Sequence, residues 1–164
     1  MKRVSLEIKC MEQEIQLNSH NKAEYPPMHT AEHLLNGTMV KMIGCKRSRN
    51  AHIERKKSKC DYPLEQPLTP EQLQEIEDAI NGVIAQDLPV TFEFLPASEA
   101  AKMYDLERLP EDASEMLRIV HIGDYDACPC VGAHVNHTSQ IGRFRISSSR
   151  YQDGMQRIVF RLDQ

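Results

Sequence analysis

The chain has 164 residues, of which 40% are hydrophobic and 27% charged, and its formal net charge is −4. This composition excludes a disordered chain, and the length corresponds to one domain on the usual scale of ~150 residues. No apolar run approaches the ~20 residues of a transmembrane helix, and the charged start at Lys2 and Arg3 lacks the apolar stretch of a signal peptide. We therefore expect a single domain over residues 1–164, no membrane segment and a cytoplasmic location.

The cysteine content indicates reduced thiols. The five cysteines are odd in number and have no regular disulfide spacing: Cys10, Cys45, Cys60, Cys128 and Cys130. Cys128 and Cys130 form a C-x-C pair, which is one residue too short for the redox C-x-x-C pattern. We interpret Cys128 as a neighbour of a site and not as one of its principal residues.

Charge is distributed unevenly along the chain. Residues 41–60 hold eight basic residues and one acid, residues 61–115 hold fourteen acids and two basic residues, and residues 143–161 hold five arginines and one aspartate. The two basic segments together predict a surface for a phosphate backbone. A solvated loop whose basic residues balance the nearby acidic helix is an equally good interpretation of the charge alone.

The first third of the chain predicts a hairpin and a long helix. Apolar and polar residues alternate over 4–10 and briefly over 14–17, which indicates two short strands. Pro26-Pro27 then predicts the start of a helix that runs to Val40 or Ile43 and stops at Gly44. This helix is apolar around most of its circumference, so we expect it to be buried.

A second helix has a clear start. Residues 45–59 indicate a loop followed by a strand or hairpin. Thr69 is then suited to cap a helix that begins at Pro70, with Gln72 placed to complete a capping box, and Pro89 bounds its end. Apolar residues recur on one side of this segment at helical spacing, so the helix is amphipathic.

The remaining segments predict strands. Alternation or short apolar runs indicate strands over 90–95, 116–122, 141–147 and 155–162, with a short helix over 98–104 and an acidic connector over 107–115. The turn signal Gln152-Asp153-Gly154 joins the last two strands as an antiparallel pair. His121 alternates with apolar neighbours, so we expect a core histidine. The fold class is α+β: an antiparallel sheet with one long helix and a second, amphipathic helix.

Two residue pairs with the same spacing predict a metal site. His29 and His33 are four apart on the first helix and therefore project from one face of it. Cys130 and His134 repeat the spacing in a distant loop. Zinc takes nitrogen and sulfur ligands in tetrahedral sets, so we predict Zn²⁺ bound by His29, His33, Cys130 and His134. An isolated H-x3-H pair is more often structural, and it is the second pair that favours a metal.

The ordered motifs resemble a known family. The segments 28–35, 118–126 continuing through Cys130 and His134, and 141–146 are similar to the editing domain of alanyl-tRNA synthetase. That domain also exists as free-standing AlaX proteins and, more distantly, as the editing module of threonyl-tRNA synthetase. The resemblance implies the editing-domain fold, the same four zinc ligands and hydrolysis of mischarged tRNA in trans, with serine or glycine on alanine-specific tRNA as the expected substrates.

The resemblance also directs attention to Thr30 and the ligand loop. Thr30 resembles the family's hydroxyl residue beside the first ligand, so we predict a catalytic role in sensing the substrate side chain; a hydroxyl bonded within its own helix is the alternative. Where the family usually has Cys-Gly-Gly-Thr-His, this chain has Cys130-Val131-Gly132-Ala133-His134. The ligand spacing is kept, but one glycine and one hydroxyl are lost.

The resemblance and the basic segments also predict a binding partner. We expect mischarged tRNA as the partner, with Lys56, Lys57 and Arg143 as nucleic-acid-binding residues. Two other functions stay open: a zinc-stabilised RNA-binding or adaptor module without catalysis, and a metal-dependent hydrolase of a small aminoacyl compound. The predicted N-terminal hairpin must bury one face, which also leaves a homo-oligomer open.

Overall fold

The structure is a computed structural model that describes residues 25–104 and 116–164. The described elements, in chain order, are α1 (Pro26–Met42), β1 (Asn50–His52), β2 (Ser58–Pro63), α2 (Pro70–Ala85), β3 (Val90–Pro96), α3 (Ala97–Met103), β4 (Met116–Ile122), β5 (Asp126–Pro129), β6 (Arg143–Gln152) and β7 (Met155–Asp163). They confirm the α+β prediction. The predicted strands over 4–10 and 14–17 and the acidic connector lie outside the described residues.

Helix α1 forms where the sequence predicts it. Two prolines occupy its first positions, where their missing N–H groups are not needed. It ends as the Ile43 and Gly44 amides both bond to the Met39 carbonyl, and Gly44 adopts a φ of +83° that favours glycine. The helix is buried from residue 30 to residue 39, as expected. Every side chain on this stretch therefore faces other parts of the protein.

Helix α2 begins with the predicted capping box. The Gln72 amide donates to the Thr69 hydroxyl, and the Gln72 side chain accepts from the Thr69 amide. Its apolar side, with Ile76 and Ile80 fully buried, belongs to the same core as α1. This packing fixes α1 from one side.

A four-stranded antiparallel sheet has the order β1-β2-β7-β6. Asp153 and Gly154 both have positive φ, as a tight hairpin turn between β6 and β7 requires. The predicted bounds of β6 were wrong at both ends, since Ile141 lies in a 3-10 turn over Thr138–Ile141 and the strand continues to Gln152. Residues 148–152 are mostly polar but pair with β7, so the backbone ladder and not side-chain alternation sets the end of the strand.

A second, three-stranded antiparallel sheet has the order β3-β4-β5. One face contributes Val90, Val120 and Ile122 to the main core, and the opposite face packs Leu117 and Ile119 against α3. The expectation of a core position for His121 was wrong: its side chain is 31% exposed and its Nε2 lies 2.8 Å from Glu93 Oε2. Alternation placed it on the α3 face, but α3 covers only part of that face.

Within the described ranges, no helix is long and apolar enough to cross a membrane.

Candidate metal centre

The structure brings the four predicted ligands together. His29 and His33 lie one turn apart near the start of α1, Cys130 follows the last residue of β5, and His134 is four residues further along the loop. One donor atom from each lies within 4.8 Å of all the others. This is the spacing of a set that can close around one ion of the zinc type, whose nitrogen and sulfur ligands lie at about 2.0–2.3 Å.

The His29 ring is oriented by the ligand loop. Its Nδ1 lies 3.1 Å from the Ala133 carbonyl oxygen, so an Nδ1–H donates there. Its Nε2 lies 3.4 Å from Cys130 Sγ and is therefore directed into the cluster. A histidine whose second nitrogen donates to a carbonyl has a fixed tautomer, which is the usual arrangement of metal-ligating histidines.

The Nε2 atom of His134 gives the most specific indication that the cluster binds a metal ion. Its Nε2 is buried and has no hydrogen-bond partner among the described residues. Its Nδ1 lies 2.9 Å from Thr30 Oγ1. Leaving a buried polar atom unsatisfied costs roughly 1–3 kcal/mol, so a lone pair at this position fits a metal ligand.

Thr30 has an arrangement that neither sequence interpretation describes. It is fully buried, and its hydroxyl accepts from the Val135 amide at 3.2 Å while it contacts His134 Nδ1. The hydroxyl therefore joins α1 to the ligand loop, where it holds the His134 ring.

Arg118 on β4 binds the backbone of the loop that carries Cys130 and His134. Its Nε donates to the Cys130 carbonyl at 2.7 Å and its terminal guanidinium nitrogen donates to the Gly132 carbonyl. The Gly132 amide in turn lies 3.4 Å from Cys130 Sγ, where it can donate to a thiolate. No role for Arg118 was predicted from the sequence, although a charged residue within an apolar strand is a signal of such a contact.

A second group of side chains lies behind His33. Its Nδ1 is 3.3 Å from Cys128 Sγ and 3.9 Å from Asp126 Oδ2. Arg47 donates two hydrogen bonds, of 2.7 and 3.2 Å, to the Asp126 carboxylate. Gly37 of α1 leaves room for this carboxylate, because a Cβ at that position would lie 2.8 Å from Asp126 Oδ1. Arg47 therefore pairs with Asp126, although it had been included in the basic segment 41–60 that predicts a phosphate-binding surface.

The environment sets different charge states in the metal-free cluster. Burial would lower the pKa of His29, but the hydrogen bond and charge interaction with Cys130, with help from Glu32, raise it to about 9. Burial, with the positive charges of His29 and Arg118, lowers the pKa of His134 to about 2, so this ring is neutral. Burial raises the pKa of Cys128 to about 12, and Cys128 therefore stays a thiol.

The predicted nucleic-acid residues are exposed at one end of the four-stranded sheet. Lys56 and Lys57 directly precede β2, and Arg143 is the first residue of β6. Since β2 and β6 both run antiparallel to β7 between them, their first residues lie at the same end. Arg55 of the same loop lies over the Tyr25 ring at 5.0 Å, which brings the loop to the start of α1.

Comparisons with known proteins identify relatives. Residues 117–159 match the family model of the threonyl and alanyl tRNA synthetase second additional domain. The chain is 31% identical to an alanine–tRNA ligase of Treponema denticola over 132 residues, which is 79% of this chain and 22% of that protein. For the alanine–tRNA ligase of Petrotoga mobilis the identity is 36% over 79% of this chain and 15% of the relative, and for that of Staphylothermus marinus it is 33% over 90% and 17%. The chain therefore spans less than a quarter of each relative.

Proposed function

Because this chain is related over most of its length to a segment of alanine–tRNA ligases, we propose that it is a hydrolase that deacylates mischarged tRNA, most readily seryl- or glycyl-tRNA of the alanine type. The observation that carries the proposal is the four-donor cluster, with a buried His134 Nε2 that has no hydrogen-bond partner within the described residues. A substrate of this kind is used in translation, so we also propose a cytoplasmic location.

The donor set suits zinc. We assign His29, His33, Cys130 and His134 as its ligands, since three imidazoles and one thiolate match zinc's preference and the donor atoms lie within 4.8 Å of each other. Zinc held there would supply Lewis-acid chemistry, that is, polarisation of an ester carbonyl or activation of water, or else a grip on the substrate amine or ribose hydroxyl.

The protein's own residues hold this site rigid. The Ala133 carbonyl fixes the tautomer of His29, and Thr30 fixes the ring of His134. Arg118 donates to the carbonyl groups on either side of Val131 and so fixes the backbone of the Cys130 loop relative to β4. We therefore propose that Thr30 contributes to catalysis as a positioning residue, by keeping His134 in its ligating orientation.

The substrate's phosphates require a basic surface. We propose that Lys56, Lys57 and Arg143 contact the tRNA backbone, because all three are exposed at one end of a sheet and the loop that carries the two lysines reaches the start of α1. Reversal of all three charges should weaken tRNA affinity and flatten its salt dependence, since each lost phosphate contact lowers the slope of log K against log salt by about one. Zinc content should not change. Unaltered affinity in filter binding between 50 and 200 mM salt would remove these residues from the interface.

The decisive experiment is release of labelled serine from seryl-tRNA of the alanine type, charged separately and mixed with purified protein. Correctly charged alanyl-tRNA and a His29→Ala variant are the controls. We expect rapid release from the mischarged substrate, slow release from the alanyl control and none with the variant. Absence of serine and glycine release by zinc-loaded, folded protein would refute the proposal.

One observation favours a second function, a zinc-stabilised RNA-binding or adaptor module without catalysis. All four donors come from the protein, and closed four-ligand sets are typical of structural zinc. Chelation distinguishes the two: a structural site should unfold with loss of its metal, whereas a catalytic site should lose activity while circular dichroism retains most of the fold. A third function, hydrolysis of a small aminoacyl compound, predicts activity that hardly responds to salt.

A further inference from the structure

The four phenylalanines of the chain divide into two pairs. Phe144 and Phe160 are fully buried and stack at 5.2 Å between ring centroids. Phe92 and Phe94 on β3 are instead 48% and 63% exposed. Two large aromatic side chains at alternate positions of one strand lie on the same face of the sheet, so they form one exposed aromatic surface.

This aromatic surface is continuous with the candidate metal centre. Phe94 pairs with Arg118 across the β3–β4 ladder, and the Cys130 amide donates to the Arg118 carbonyl at 3.1 Å on the other side. Phe94, Arg118 and Cys130 therefore form one row across the sheet. Two strand spacings of ~4.8 Å separate the ends of the row, so the backbone of Phe94 lies about 10 Å from that of Cys130.

The guanidinium of Arg118 joins the two parts. It binds the Cys130 and Gly132 carbonyls and also lies over the Phe92 ring, 4.4 Å from the centroid. One of the rings is thereby fixed in orientation by the same residue that shapes the ligand loop. The acid of this strand, Glu93, projects to the opposite face, where it contacts His121. The aromatic surface thus combines π faces and a cation.

We propose that Phe92 and Phe94 form a stacking surface for the unpaired nucleobase at the 3′ end of the tRNA. The proposal rests on the proposed function, because the ester to be hydrolysed is on the ribose of that last nucleotide. When the ribose lies at the metal centre, its base is only the length of one nucleoside away from the ester. This length is comparable to the separation between Phe94 and Cys130. Aromatic rings beside a cation are the usual platform for unstacked bases, and they read no sequence.

The test uses an uncharged RNA hairpin that reproduces the acceptor stem and carries 2-aminopurine as its 3′-terminal base. Stacking quenches this fluorophore, so the wild-type protein should quench it on binding. Phe94→Ala should weaken hairpin affinity by about tenfold and reduce the quenching, in the range known for aromatic–base stacking. Phe94→Tyr, which keeps the π face, should bind like wild type, whereas Phe94→Leu should behave like the alanine variant.

Two controls isolate the terminal base. Met103→Ala removes an apolar side chain that is 65% exposed on α3, at the opposite face of the same sheet, and should leave affinity and quenching unchanged. A hairpin that lacks the terminal nucleotide should bind wild type and Phe94→Ala equally. For Phe92→Ala, zinc content is measured together with hairpin affinity. The Phe92 ring contacts Arg118, so its loss can also disturb the ligand loop that Arg118 holds.

The outcomes separate the two proposals. Equal affinity of wild type and Phe94→Ala for the full hairpin would overturn the stacking surface, even if the protein deacylates tRNA. A shift of Phe94→Ala from dimer to monomer in size-exclusion chromatography, without loss of RNA affinity, would likewise overturn it and assign the aromatic surface to contact with a second copy. Normal quenching without serine or glycine release would refute the hydrolase and leave base stacking intact.

Discussion

Two groups of potential metal donors share His33, and they differ in what their atoms are already bound to. The first contains His29, His33, Cys130 and His134; the second contains His33, Asp126 and Cys128, with the same compactness. In the first, His134 Nε2 has no hydrogen-bond partner among the described residues, and the other ring nitrogens of His29 and His134 contact the Ala133 carbonyl and Thr30. In the second, Asp126 is neutralised by Arg47 and Cys128 is a thiol.

Proximity of donors therefore does not by itself identify a metal site. A carboxylate with two guanidinium hydrogen bonds and a buried thiol would both need new charge states or new partners before they could ligate. We therefore interpret the second group as support for His33, whose Nδ1 lies 3.3 Å from Cys128 Sγ and 3.9 Å from Asp126 Oδ2.

The largest difference between the two groups is expected when each cysteine is replaced by alanine in turn. Cys130→Ala should lower zinc affinity by more than about a hundredfold, beyond the ~10–100-fold typical of supporting residues, whereas Cys128→Ala should stay within that range. Cobalt substitution reports the thiolate directly through its sulfur-to-cobalt charge-transfer band. Loss of that band in Cys128→Ala and its retention in Cys130→Ala would reverse the assignment.

The pH dependence of zinc binding tests the charge states of the first group. The pKa of His29 in the metal-free protein is about 9, so this ring is protonated at neutral pH and must lose its proton to ligate. Zinc affinity should therefore fall by at least about tenfold for each pH unit lowered between 8 and 6. His134, with a pKa of about 2, contributes no proton over this interval. Competition with a chromophoric chelator measures the slope, and a flat profile would contradict the first group as described.

The supporting pair behind His33 can be broken on its own. Asp126→Asn should reduce zinc affinity by about 10–100-fold and destabilise the fold by roughly 3 kcal/mol, because Arg47 loses a largely buried charge partner. The double variant Arg47→Met with Asp126→Leu should recover stability without recovering zinc affinity. Denaturant unfolding and zinc titration separate the two effects. Full zinc affinity in the double variant would mean that the pair stabilises the fold but not the ligand.

The smallest effect is expected at Thr30. Thr30→Val keeps the shape but removes the hydroxyl between His134 and the Val135 amide, so zinc affinity should fall by up to about tenfold and stability by about 1 kcal/mol. Thr30→Ser should restore both. A change confined to the KM or kcat of serine release, with unaltered zinc affinity, would instead favour direct contact with the substrate.

Sequence patterns predicted which four donor side chains lie together, but not the contacts that surround them. The four-residue spacings of His29/His33 and Cys130/His134 depend only on local geometry, and α1 and α2 are bounded by prolines, glycine and a capping box that act locally. Contacts between distant segments are not specified by local spacing, and a charged residue within an apolar strand, such as Arg118, indicates that a partner exists but not which one it is. The sequence did not indicate that Arg118 holds the ligand loop or that Arg47 pairs with Asp126, since both depend on how β4 and β5 pack near α1. The extent of β6 was missed for the same reason, because pairing with β7 overrides its polar side chains.

Gly37 marks a conflict between stability and site geometry. A glycine inside a helix costs up to about 1 kcal/mol relative to alanine, so helix propensity alone predicts that Gly37→Ala stabilises the protein. Yet the added methyl would lie 2.8 Å from Asp126 Oδ1 and displace the carboxylate that Arg47 holds behind His33. Helix α1 thus gives up some intrinsic stability so that β5 can approach it closely, and efforts to stabilise this protein should leave that position unchanged.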